Sequence, residues 1–235
     1  MTYLSLIPNP PKICLFTGGI APMLTPVDEV YGSLRERVKT RNHKFYDAYP
    51  GDIALVKRII KRLSEKPATL PSGGKLTARR FLQVGISLGG SPSAFASMHG
   101  LFSSAFLSED DDDLTRSFLK TIDSIQPFDD HPIYFLMHES IYADGQGMCK
   151  TTNWSANRAY QSDTALDYDA SSLDDSNPTF LAGEVVFPWM ADGDYSELSG
   201  KDIFNVCSRI LKESFIILFF VVRFWYAVSC TFIGL

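Results

Sequence analysis

The amino-acid sequence predicts a mostly α-helical chain with at most one or two elements of a β core. Two observations lead there. From about residue 28 to about residue 125, apolar residues recur at helical spacing between charged ones. Upstream of that, only KICLFT at 12–17 has the length and apolarity of a buried strand, and it ends in the turn signal Gly18-Gly19.

In chain order, Asp28 to Tyr49 carries interleaved charges with helical period. After Pro50-Gly51, Asp52 is positioned to cap a second helix that places Val56, Ile59, Ile60 and Leu63 on one face. Lys57, Arg58, Lys61 and Arg62 fill the other face, which reads as solvated. PATLPSGG at 67–74 is a loop, and Thr77 caps ARRFLQVGISLGG, a segment open to helix or strand. Ser91-Pro92 signals a helix through about Leu107. The acidic run Glu109 to Asp113 suits the N-terminus of a helix over 114–125 through the macrodipole, and lacks the spaced ligand pattern of a calcium loop. His131-Pro132 opens another helix, apolar around His138-Glu139. Residues 143–178 are loop-rich, with a short helix near 153–160 and an exposed insertion in DYDASSLDDSNP. TFLAGEVVFPWM at 179–190 is apolar and aromatic around an isolated Glu184.

The final stretch, 215–235, has one charge, Arg223, among 21 residues. Thirteen Leu, Ile, Phe or Val residues, at about −0.3 to −0.6 kcal/mol each, outweigh roughly 2.5–3.5 kcal/mol for a central Arg. The segment is therefore apolar enough to act as a C-terminal membrane anchor.

Composition narrows the function classes. The 235 residues carry a net charge of −5, with no basic surplus to neutralise phosphates, so no nucleic-acid partner is expected. Four cysteines without CxxC pairing point to a reduced, cytoplasmic setting, and the first residues lack the form of a signal peptide. No ligand cluster for a metal or other cofactor stands out.

Gly85-Ile86-Ser87-Leu88-Gly89 spells G-x-S-x-G, the strand-to-helix turn that exposes a nucleophilic serine in α/β-hydrolases. Its context does not match. That fold needs several strands before the serine and an acid and a histidine after it, yet His138, the last histidine, lies only 51 residues downstream among helical patterns. Ser87 is therefore considered and rejected as the nucleophile, with an esterase or lipase using it kept as an alternative.

Six stretches together resemble the proline iminopeptidase (prolyl aminopeptidase) family of α/β-hydrolases. They are MTYLSLIPNPPKICLFTGGIAP (1–22), RNHKFYDAYPGDIALVKRI (41–59), LTARRFLQVGISLGG (76–90), HPIYFLMHESIYADG (131–145), TNWSANRAYQ (152–161) and GEVVFPWM (183–190). The resemblance implies an α/β-hydrolase fragment: residues 1–26 a remnant of the core, 27–199 a helical cap over the active site, and 200–235 a divergent tail. It implies that the true elbow precedes Met1, that acid and histidine lie beyond the cap, and that this chain is inactive. The family reaction releases N-terminal proline from peptides through an acyl-enzyme on serine, without a cofactor. The divergence begins at Gly200-Lys201, whose codons can spell a splice donor, so a translated intron is one expectation for the tail. A membrane partner follows only if 215–235 is a genuine anchor.

Recognising a free N-terminal secondary ammonium beside a pyrrolidine ring calls for carboxylates in an apolar, aromatic cavity, where low dielectric strengthens the pairing. Glu139 and Glu184 match the cap glutamates that the resemblance implies, with Tyr142, Phe187 and Trp189 as candidate walls. The plainer reading is that both glutamates pair with Arg or backbone donors inside the cap. His138 beside Glu139 is not part of an HExxH zinc motif. A non-enzymatic, tail-anchored helical protein is the second alternative.

Overall fold

The computed structural model describes residues 8–9, 12–13, 25–110, 112–125, 128–129, 131–139, 142, 152–161 and 177–195. Most of the expected strand at 12–17, the insertion at 167–176 and the tail at 200–235 lie outside these residues.

Helix α1 (Val27–Ala48) buries Tyr31, Val38, Asn42, Phe45 and Tyr46, a stripe at helical spacing. Helix α2 (Asp52–Glu65) buries Val56, Ile59, Ile60 and Leu63, the face its periodicity predicts. Asp52 does not cap it. Gly51 holds the cap position, and the buried Asp52 carboxylate instead meets His99 Nδ1 at 3.0 and 3.1 Å. Stacking of His99 on Tyr49, at 4.3 Å between ring centroids, brings the imidazole within reach. The basic face of α2 is also partly used: Arg58 lies over the Phe106 ring, and Arg62 bonds the Asp112 carbonyl and the Asp113 carboxylate. Part of the acidic run thus faces α2.

The 67–74 loop is bracketed by a minimal hairpin, β1 (Ala68–Thr69) antiparallel to β2 (Lys75–Leu76). Its turn is closed by Gly73, whose φ of +100° suits glycine. Thr77 accepts a bond from the Arg80 N–H and caps α3 (Ala78–Leu82), which runs on as a 3-10 helix over Gln83–Gly89. The open choice at 78–90 is therefore decided for helix. Helix α4 (Ala94–Ser103) starts later than Ser91-Pro92 predicts, because Ser91 Oγ pairs with Ser93 Oγ and offers no cap. Helix α5 (Arg116–Ser124) is capped by Thr115. Helix α6 (Pro132–Met137) and helix α7 (Ser155–Gln161) follow, then an extended segment and a π-helical turn at Met190–Asp194.

Helix α1 packs along α7, and α2 packs on α3 and α4. Phe45, Phe81, Phe102 and Phe118 are fully buried between them, each contributing about 1.5–3 kcal/mol relative to exposure. The extended segment is fastened to α1 by polar contacts. Asn42 donates to the Leu181 carbonyl and accepts from the Leu181 N–H, at 2.9 and 2.7 Å, and Tyr46 donates to the Thr179 carbonyl at 2.6 Å. Ala182 N–H bonds the Leu82 carbonyl at 2.8 Å, tying the segment to α3 as well.

Candidate functional site

Leu34, Val38, Arg41 and Asn42 stand on one face of α1, at spacings of four, three and one. That face, the 3-10 helix and residues 182–184 enclose a cleft of about 400 Å³. Three glycines let its walls close. A Cβ on Gly85 would strike the Ala182 carbonyl oxygen and come within 2.5 Å of Leu181 Cβ, one on Gly183 would strike Val38, and one on Gly89 would strike the Arg41 guanidinium. Of the two glycines of GISLG, Gly85 is thus required by packing, whereas a side chain at Gly89 would only displace the end of the exposed Arg41. Ser87 lies on helical backbone, preceded by α3 rather than by a strand, and Ile86 and Leu88 line the cleft while Ser87 does not.

Glu184 lines the cleft from the extended segment, with an exposed side chain whose Oε1 accepts a bond from the Tyr134 hydroxyl of α6. Burial, then that bond and the Glu184 charge, push the Tyr134 phenol well above its usual range, so Tyr134 remains a donor. His138 Nε2 lies 3.1 Å from the Glu184 backbone carbonyl. A carbonyl only accepts, so Nε2 carries the proton, and the buried Nδ1 has no partner among the described residues. Burial lowers the His138 pKa, partly offset by Glu184.

Glu139 is fully buried and turned elsewhere. Its two oxygens accept the N–H groups of Ser155 and Ala156, at 3.1 and 2.8 Å, satisfying donors at the start of α7. Burial raises its pKa, partly countered by these bonds. Asn153 and Trp154, just before α7, both have positive φ, 47° and 58°. For a bulky residue such as Trp154 this is a strained conformation. The Glu139 carboxylate and Arg158, which donates to the Thr152 and Asn153 carbonyls, hold it in place. The plainer reading of Glu139 is thus what its bonding describes.

Tyr31 is fully buried, its hydroxyl without a hydrogen-bond partner among the described residues. Burial first, then the charges of Glu139, Tyr142, Glu184 and Tyr160, raise its pKa far above the usual phenol value. The structure therefore brings Glu139, Glu184 and Tyr142 into one electrostatic neighbourhood. Tyr142 is half-buried and packs edge-on to Tyr31 at 5.9 Å. Phe187 and Trp189 stack on each other at 5.5 Å but do not line the cleft. Phe187 is buried against Tyr160, and Trp189 lies beneath the Arg79 guanidinium.

Tyr134 and Arg41 were not singled out in the sequence. Arg41 had a signal, its place on the α1 face shared with Leu34 and Val38; Tyr134 had none beyond its closeness to Glu139. Among the described residues, no serine hydroxyl bonds a histidine, and no group of three His, Cys, Asp or Glu is arranged to hold a metal. No helix among them is long and apolar enough to cross a membrane.

No protein-family model matches the chain. Two curated proteins do. A proline iminopeptidase of Aeromonas sobria is 34% identical over 190 residues, covering 81% of this chain and 42% of that protein. The proline iminopeptidase aneH of Aspergillus aculeatus is 30% identical over 220 residues, covering 91% of this chain and 45% of that protein. The chain spans less than half the length of these relatives.

Proposed function

From its kinship with the proline iminopeptidases, hydrolases whose usual fold is the α/β-hydrolase, we propose that residues 27–199 form the substrate-recognising cap of a prolyl aminopeptidase. The observation that carries this reading is Glu184: a carboxylate on a cleft that also presents apolar side chains, held by one tyrosine hydroxyl and by no cation among the described residues. Such a group suits an N-terminal secondary ammonium, with Leu34, Val38, Ile86 and Leu88 offering apolar surface to the pyrrolidine ring. Tyr134, donating to it, fixes the carboxylate in place.

Glu139 acts one step back from the ligand. By anchoring the start of α7 it positions Tyr160, which packs edge-on against Phe187. In the reaction of this class, a serine attacks the prolyl carbonyl, the peptide amine leaves, and water releases proline. The described residues contribute recognition to that sequence, and we propose that this chain alone does not turn over prolyl peptides.

Binding of L-prolinamide to the full chain, measured by calorimetry, tests the recognition role. Wild type is expected to bind it and Glu184→Gln to lose about tenfold or more in affinity, one charge-assisted contact; equal binding by both removes Glu184 from the site. Hydrolysis of a prolyl anilide, or labelling by a fluorophosphonate, would overturn the proposed inactivity.

A further inference from the structure

Arg41 presents the feature that the aminopeptidase reading does not use. It is exposed, lines the same cleft as Glu184, and makes no ion pair or hydrogen bond to a described residue. The guanidinium lies close over Gly89, where a side chain would displace it. Asn42, the other polar side chain that α1 turns this way, is consumed by Leu181. The cleft therefore offers one guanidinium with no partner among the described residues, one carboxylate, and apolar surface from Leu34, Val38 and Leu88.

That combination fits a zwitterion. Resting on the prolyl aminopeptidase reading, we propose that Arg41 is a specificity-determining residue that binds the free C-terminal carboxylate of a short peptide whose N-terminal ammonium is held at Glu184. A guanidinium presents paired N–H donors matched to a carboxylate, and it does so more strongly on a partly desolvated surface. The cleft volume of about 400 Å³ lies at the small end of ligand sites. A dipeptide spans roughly 7 Å at about 3.3–3.6 Å per residue, so one small cleft suffices for both charged ends. Longer peptides would place an uncharged amide opposite Arg41 and forgo the contact. The inferred substrate class is dipeptides and the shortest oligopeptides with a free C-terminus.

Calorimetric titration of the full chain with prolylglycine, prolylglycinamide and N-acetyl-prolylglycine tests this. Wild type is expected to bind prolylglycine about tenfold more tightly than its amide, one charge-assisted contact. In Arg41→Met the acid should fall to the affinity of the amide, while the amide is unchanged. Removing an exposed arginine that has no partner among the described residues leaves folding intact, which an unchanged thermal midpoint would show. Equal binding of acid and amide by wild type, or an unchanged ratio in Arg41→Met, overturns the role of Arg41 even if Glu184 is confirmed. Equally tight binding of the acetylated dipeptide overturns the Glu184 reading instead, and the acid-to-amide ratio still reports on Arg41. Absence of binding by all three ligands overturns both.

Discussion

Arginines do opposite things in two regions of this molecule. Around α3 every guanidinium is paired. Arg79 makes two bonds to Asp194, at 3.1 and 2.9 Å, and the same carboxylate accepts from Thr77 at 2.7 Å. Arg80 is fully buried, 2.7 Å from Asp129 and over the Tyr195 ring, with the Lys75 and Asp194 carbonyls as further acceptors. In the cleft, among the described residues, Arg41 has no ion pair or hydrogen bond and Glu184 is held by a neutral tyrosine alone. Low dielectric makes an unpaired charge costly, so a scaffold pairs its buried charges, and charges left open on a cleft wall stay partly hydrated. The difference separates what holds the chain together from what is free to meet a ligand.

The comparison breaks most readily at its scaffold side. Arg80→Met leaves the almost buried Asp129 without its guanidinium, and losing one partner of a buried pair costs about 3–5 kcal/mol. For a domain of marginal stability that is a large share of the total. Denaturant titration should show the midpoint fall sharply or cooperative unfolding disappear. Adding Asp129→Asn should restore part of the loss, because the stranded charge is then gone; no restoration would mean that Arg80 acts through packing on Tyr195 alone.

The next effect lies where the two regions share a wall. In Gly85→Ala the new Cβ meets the Ala182 carbonyl and Leu181 Cβ, neither the far end of a flexible side chain. Overpacking of this kind costs about 1–3 kcal/mol, and the shift of residues 181–183 should also weaken ligand binding at Glu184. A thermal midpoint equal to wild type would remove the proposed reason for glycine there.

How much of this was legible in the sequence differs between the regions. The apolar faces of α1 and α2 follow from period alone, because 3.6-residue spacing is a local property. The cap at Thr77 is local in the same way, whereas Thr115, which caps α5, is not singled out in the sequence because the acidic run beside it gives the stronger signal. Asp52 was misread because a carboxylate at a helix start has two possible partners, and the His99 ring that takes it comes from 47 residues away. The hairpin at 68–76 was missed because each strand is two residues long, too short to show alternation. The G-x-S-x-G spelling is ambiguous by itself, since a glycine needed for close approach to residues 181–182, as Gly85 is, looks the same as a glycine needed for a sharp turn. Glu139 and Glu184 could be marked as isolated acids, but only the fold shows that one holds a helix and the other faces a cleft.

A smaller effect comes from pH. His138 carries its buried, neutral imidazole beside Tyr134 and Phe128, with Glu184 the acid that acts on it. Its folded pKa lies below the ordinary 6.5, so between the two values the unfolded chain binds more protons than the folded one. Stability from this group is complete above pH 6.5, falls as the pH drops below it, and levels off below the folded pKa. The slope is at most about 1.4 kcal/mol per pH unit. Urea midpoints between pH 7.5 and 5 should decline more steeply in wild type than in His138→Gln, which keeps a donor for the Glu184 carbonyl but does not titrate. Parallel slopes would assign the decline to other groups.

The smallest expected effect is the sharpest test of the comparison, because it concerns the residue that chemistry alone would have ranked first. Ser87 sits between two residues that face the cleft, yet lies outside the cleft lining itself, on a 3-10 turn with no histidine bonded to it. Its hydroxyl makes no bond whose loss would strand a buried partner among the described residues. Ser87→Ala should therefore change stability by no more than about 0.5 kcal/mol, the usual range for a surface substitution, and should leave binding of prolinamide unaltered. Set beside Gly85→Ala two residues earlier, it divides the motif by cause: Gly85 answers to packing and the serine to nothing among the described residues. A loss of fluorophosphonate labelling in Ser87→Ala, from a wild type that labels, would reverse that division and move the chemistry back to the turn.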